Sequence, residues 1–191
     1  GETPTPAVSP ETPTPATPTP ATEPTSEPPV DKHIELFKDV SDEEEKGLLQ
    51  IVTQRAGEDI TLYVPIINKD LATATEMSCE LYSSAPQNPF SATPACSAYK
   101  TWNATTSHLD DWKPNDLAMG NRAYFRVTGK LLATIPADTY TLTFLVKYNN
   151  GLKDLIPVTI VVRESTSEGG SSGGGGSSYK SKPKVILESY S

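Results

Sequence analysis

Tyr140, Leu142, Phe144, Val146 and Tyr148 fall on every second position of a single run. A period of two sends successive side chains to opposite faces of an extended chain, so this stretch suits a half-buried strand and not a helix. The period recurs along the chain. Ile60, Leu62, Val64 and Ile66 share a face opposite Thr61, Tyr63 and Pro65, and Met77, Cys79 and Leu81 form the inward set of another strand. Ala123, Phe125 and Val127 alternate with Arg122, Tyr124 and Arg126, which predicts a strand with one wet face. Ile156, Val158, Ile160 and Val162 make the last run. Asn149-Asn150-Gly151, residues that tolerate positive φ, join it to the Tyr140 run as a hairpin.

Two shorter strands are expected at His33 to Phe37 and at Leu48 to Val52, on either side of the acidic run Asp42-Glu43-Glu44-Glu45. A block of like charge is expected to stay solvated. Helix is possible only around residues 41 to 50, where Ser41 can cap and Glu44 follows three residues later. About seven strands separated by turn signals predict an all-β, antiparallel, immunoglobulin-like β-sandwich over residues 31 to 164. Asp138-Thr139-Tyr140 stands where such a sandwich places its tyrosine corner, a phenol bonded to nearby backbone.

The flanks cannot add to that core. Residues 1 to 30 hold ten of the eighteen prolines, interleaved with Thr, Ala and Glu, and predict a disordered, semi-rigid polyproline stalk. A Pro-rich ligand for an aromatic groove is the lesser alternative, because the usual basic flank is missing. Residues 165 to 182 read as a Gly/Ser-rich flexible linker and 183 to 191 as the first strand of a following, truncated repeat. The formal charge of -8 divides into -4 on residues 1 to 30, -5 on 31 to 164 and +1 on 165 to 191, so no segment suits nucleic acid. No apolar run approaches the ~18 residues of a membrane span, and Gly1 followed by acidic Pro-Thr sequence is not a signal peptide. A longer parent protein is expected.

Few residues suggest chemistry. Cys79 and Cys96 are expected to pair as a disulfide, the alternative being two buried free thiols; a metal site is weak, since neither His33 nor His108 has ligand-like spacing to them. Asp110, Asp111 and Asp116 around Trp112, Lys113 and Pro114 read as a solvated turn ahead of a calcium loop, whose alternation and glycine are missing. No serine lies in a strained glycine-flanked turn and the folded part has no phosphate loop, so the chain is not expected to be an enzyme and no cofactor is expected. Trp112, Trp102, Tyr99 and Tyr82 are either core aromatics or a platform for sugar rings, with Trp112 the member expected to be most exposed because Asp and Pro surround it.

"AGEDITLYVPIINKDLATATEMSCELYSS", followed some 50 residues later by "ATIPADTYTLTFLVKYNNG" and "PVTIVV", resembles the bacterial and archaeal extracellular Ig-like repeats grouped with S-layer-associated and CARDB-like adhesion domains. The shared features are a strand of apolar alternation running into a turn-opening Asn, here Asn68, and a late Tyr strand ending in Lys147-Tyr148. A Gly often precedes the late tyrosine in such domains, whereas this chain has Asp138 and Thr139. The resemblance covers about residues 31 to 163 and implies neither catalytic residues nor a cofactor. It implies a secreted or cell-surface spacer or adhesion module of a modular, Gram-positive type protein, a monomer whose partner is a cell-envelope polymer or another surface protein. A carbohydrate-binding module of a secreted glycan-degrading enzyme is the runner-up, and a filament subunit assembled by strand exchange the third reading.

Overall fold

A computed structural model of the chain describes residues 1–7, 29–113 and 115–166. Most of the expected stalk, nearly all of the Gly/Ser linker and the whole terminal strand lie outside the described residues.

The expected sandwich is present, with two sheets and a small ribbon among the described residues. The five-stranded sheet runs in the order β1 (Ile34–Leu36), β3 (Asp59–Asn68), β9 (Arg122–Lys130), β6 (Ala95–Asn103), β7 (His108–Asp111), and the four-stranded sheet in the order β2 (Val52–Arg55), β11 (Leu152–Arg163), β10 (Asp138–Tyr148), β5 (Ser78–Ala85). β4 (Thr73–Ala74) and β8 (Leu117–Ala118) pair as the ribbon. β1, β3, β9 and β6 take the places of strands A, B, E and D of an immunoglobulin-like fold, and β5, β10 and β11 those of C, F and G. β4, β6, β7 and β8 add to the expected seven: β4, β7 and β8 span four residues or fewer, too short to display a period, and β6 carries no run of large apolar residues on alternate positions.

The inward sets meet as read from the sequence. Ile60, Leu62, Val64 and Ile66 of β3, with Ala123, Phe125 and Val127 of β9, face Tyr140, Leu142, Phe144, Val146 and Tyr148 of β10 and Ile156, Ile160 and Val162 of β11, all buried. Each fully buried side chain of this size contributes roughly 1.5–3 kcal/mol. β10 and β11 pair from Asp138↔Val162 to Tyr148↔Leu152, and Asn149 and Asn150 turn the hairpin at φ 47° and 53°. Tyr140 makes the expected corner, its Oη donating to the Pro136 carbonyl at 2.9 Å.

The strand expected at Leu48 to Val52 is corrected. Residues Glu43–Leu49 form a helix, α1, and β2 starts only at Val52. Glu45, Leu48 and Leu49 fall at i, i+3 and i+4, one helical face, which outweighs any tendency to extend. Its cap is Asp42, whose Oδ1 accepts from the Glu44 amide at 2.8 Å, not Ser41. α1 lies between β1 and β2 in the chain and packs on the outer side of the five-stranded sheet against β3 and β7.

Candidate functional site

The outer face of the five-stranded sheet carries a grouping of charged and aromatic side chains. Arg122, Tyr124 and Arg126 point there because their neighbours Ala123, Phe125 and Val127 point inward. The wet face expected for β9 is half wrong: Arg126 is exposed, but Tyr124 is fully buried. The cause is α1. Glu45, fully buried and the third glutamate of the acidic run, accepts from Tyr124 Oη at 2.7 Å through Oε1 and from Arg122 Nη2 at 2.6 Å through Oε2. The expectation that residues 42 to 45 all stay solvated is therefore corrected at Glu45. Burial holds its carboxyl above the ordinary glutamate value despite the phenol and guanidinium beside it. Burial, then the bond to Glu45, drives the Tyr124 phenol far above the usual tyrosine value.

Glu44 is a second anchor. Its Oε1 meets His108 Nδ1 at 3.0 Å and its Oε2 accepts from the Leu109 amide at 3.0 Å, and these two contacts, His108 first, hold its carboxyl below the ordinary value. Consecutive glutamates of one run thus fasten α1 to β9 and to β7 and titrate in opposite directions.

Two of the four platform candidates lie on this face. Trp102 is partly buried with the Arg122 guanidinium 5.4 Å from its ring, and Phe37 lies 4.7 Å from the same group. Tyr99, also partly buried, stacks on Tyr63 at 5.3 Å, with Arg126 5.2 Å and Lys100 5.5 Å from its ring. Trp112 is a correction. It is 3% exposed, packed edge-on against Phe125 at 4.9 Å, and its Nε1 donates to the Asp116 carbonyl at 2.8 Å. The polar neighbours that suggested exposure satisfy its N–H while the rest of the indole fills the core. Tyr82 is 40% exposed but belongs to β5 in the other sheet.

The three aspartates of the same stretch are engaged separately: Asp111 with Lys100 Nζ at 2.7 Å, Asp110 with Asn103 Nδ2 at 2.8 Å, and Asp116 with the Glu76 amide at 3.1 Å. Among the described residues no three His, Cys, Asp or Glu side chains are grouped to hold a metal ion. Cys79 and Cys96 form a disulfide, with Cα atoms 5.7 Å apart, and it ties β5 of one sheet to β6 of the other.

Asp154 carries no signal in the sequence, since it stands next to Lys153 ahead of the apolar run of β11. It is 3% exposed. Its Oδ1 accepts from the Lys32 amide at 2.6 Å, and its Oδ2 from the amides of His33 at 3.1 Å and Ile34 at 2.8 Å and from Tyr148 Oη at 2.6 Å. Lys32 adopts φ 61°, which turns successive amides toward one carboxylate. A shallow groove of about 380 Å³ lies between α1, β1, β3 and β11, lined by Leu36, Leu48, Ile51, Tyr63, Pro65 and Pro157 among others. No side-chain nitrogen or oxygen buried among the described residues lacks a partner.

No family model and no curated protein matches the chain. Among solved structures it is similar to a family 123 glycoside hydrolase from Clostridium perfringens, studied for glycolipid glycan hydrolysis, at 10% identity and a TM-score of 0.39. That match covers 69% of this chain and 27% of the hydrolase. A likeness so distant bears on neither activity nor ligand.

Proposed function

We propose that this chain is a non-catalytic spacer and adhesion module of a modular, secreted cell-surface protein, of the S-layer-associated, CARDB-like kind its sequence resembles. The observation that carries this reading is where the polypeptide enters and leaves the sandwich. It arrives at Lys32–Ile34, beside Asp154 and the β10–β11 turn, and departs after Arg163, beside the start of β10. Asp154 and Arg163 are nine residues apart along one strand, about 30 Å at ~3.3 Å per residue. A body entered at one end and left at the other extends a string of modules.

Its charged groups also support the reading. Glu45, Glu44 and Asp154 hold elements together, and Arg122 and His108 are their partners. The disulfide fits an oxidising compartment, and among the described residues no helix is long and apolar enough to cross a membrane. The partner proposed is a cell-envelope polymer or another surface protein, with the chain itself monomeric.

The test is fractionation of the native cells under alkylating conditions. Recovery in the envelope or medium with Cys79 and Cys96 oxidised is the expected result; recovery inside the cell with both thiols free rejects the reading. The carbohydrate-binding alternative rests on Trp102 and Tyr99 lying on one outer face. Polysaccharide pull-down abolished by Trp102→Ala would favour it.

A further inference from the structure

Of the seven asparagines in the chain, Asn103 alone has a hydroxyl residue two positions on without an intervening proline: Asn103-Ala104-Thr105. This is the acceptor pattern for N-linked glycosylation, which needs a secreted protein and a surface loop. We infer that Asn103 is an N-glycan attachment site, an inference that rests on the extracellular reading above.

The geometry suits an acceptor. Asn103 ends β6 and residues 104 to 107, all exposed, turn the chain into β7, the outermost strand of its sheet. The turn is closed by the Ser107 amide donating to the Asn103 carbonyl at 2.8 Å. Within it the Asn103 side chain is held at both ends of its amide. Its Oδ1 accepts from the Thr105 amide at 3.0 Å and the Thr106 amide at 3.3 Å, while its Nδ2 donates to the Asp110 carboxylate at 2.8 Å. These contacts hold the acceptor amide in one orientation at the start of an exposed turn.

The donor class is a polyprenyl-phosphate-linked sugar. The bond from its anomeric carbon to the phosphate oxygen breaks with the electron pair leaving on phosphate, a bond from that carbon to Nδ2 forms, and a base of the glycosyltransferase takes the displaced Nδ2 proton. Nδ2 carries two hydrogens. One is replaced and the other remains for Asp110, so the loop keeps its shape after transfer.

Thr105→Ala is the discriminating variant. The turn uses the Thr105 amide, not its hydroxyl, so the substitution removes the acceptor signal and leaves Asn103 and its contacts in place. Protein recovered from native cells is digested and its peptides weighed. Sugar mass on the Asn103 peptide, lost in Thr105→Ala and kept in Thr105→Ser, with unaltered melting temperature of the unglycosylated proteins, is the expected result. An unmodified Asn103 in surface protein whose Cys79–Cys96 bond is intact overturns the inference alone. Intracellular protein with free thiols and bare Asn103 overturns it together with the extracellular reading.

Discussion

Glu45 shows how one side chain converts an acidic, solvent-seeking stretch into a fastener. Removing it strands the Tyr124 hydroxyl, which no water reaches, whereas Arg122 retains partial exposure and can be rehydrated. Glu45→Ala is expected to cost about 1–3 kcal/mol, the penalty for one orphaned buried donor, read as a lower denaturant midpoint with little change in m. pH dependence follows from the direction of its titration. A carboxyl held above its unfolded value binds its proton more tightly in the folded state. Its contribution is therefore greatest below the ordinary glutamate pKa and declines as pH rises through the folded value. Glu44 has the opposite sign: its contribution is present above the ordinary value and is lost as pH falls through its lowered one. Stability curves of Glu45→Gln against pH should lose the downward limb that runs from the ordinary glutamate value to the raised folded one, and an unchanged limb would reassign it. Trp112 belongs to the same scale. Trp112→Ala is expected to cost about 3–5 kcal/mol as a core truncation, measured by chemical denaturation, so it reports folding and not ligand contact.

Among the elements, those with a long period were legible in the sequence. β3, β9, β10 and β11 run nine to twelve residues and each carries an alternating inward set, and their faces, the hairpin at Asn149–Gly151 and the Tyr140 corner follow from that repeat and from turn chemistry. α1 was less legible because only its inward face, Glu45, Leu48 and Leu49, distinguishes it from a strand, and a charged residue occupies that face. The signal available was the pair Arg122 and Tyr124, a cation and a phenol on one outward strand face awaiting an acceptor. For Tyr99 and Trp102 the sequence leaves core and platform both open, because it cannot reveal that Tyr99 stacks on Tyr63 and Trp102 packs by Arg122. Cys79 and Cys96, 17 positions apart, join edge regions of the two sheets, so the crosslink restrains the unfolded chain and holds the sandwich shut. Replacing both with alanine is expected to lower unfolding free energy by about 2–4 kcal/mol relative to the oxidised protein; equal denaturant midpoints would contradict this.

At the scale of the whole molecule, the placement of Asp154 decides how the body carries tension. Force applied upstream reaches Asp31, which is bonded to the Lys153 backbone, and then Lys32, His33 and Ile34, whose amides are bonded to the Asp154 carboxylate. Asp154 sits on β11, the strand by which the chain leaves, so load can pass from one end to the other along a single strand and bypass most of the core. The bonds at Asp154 are pulled along the strand together, not opened one by one. Farther on, β2 runs parallel to β11 from Val52↔Ile160 to Arg55↔Arg163 and is sheared in the same sense if the first contact fails. The arrangement separates mechanical strength from thermodynamic stability. Asp154→Asn replaces an acceptor for four donors by a group with one acceptor oxygen, at a cost on the order of 3 kcal/mol. Leu62→Ala, on β3 and off the load path, is expected to cost a similar 2–5 kcal/mol through its cavity. Single-molecule pulling through the two chain ends should then show a much lower rupture force for Asp154→Asn than for Leu62→Ala, although the two melt alike. Equal rupture forces would place the load in the core and remove Asp154 from its path.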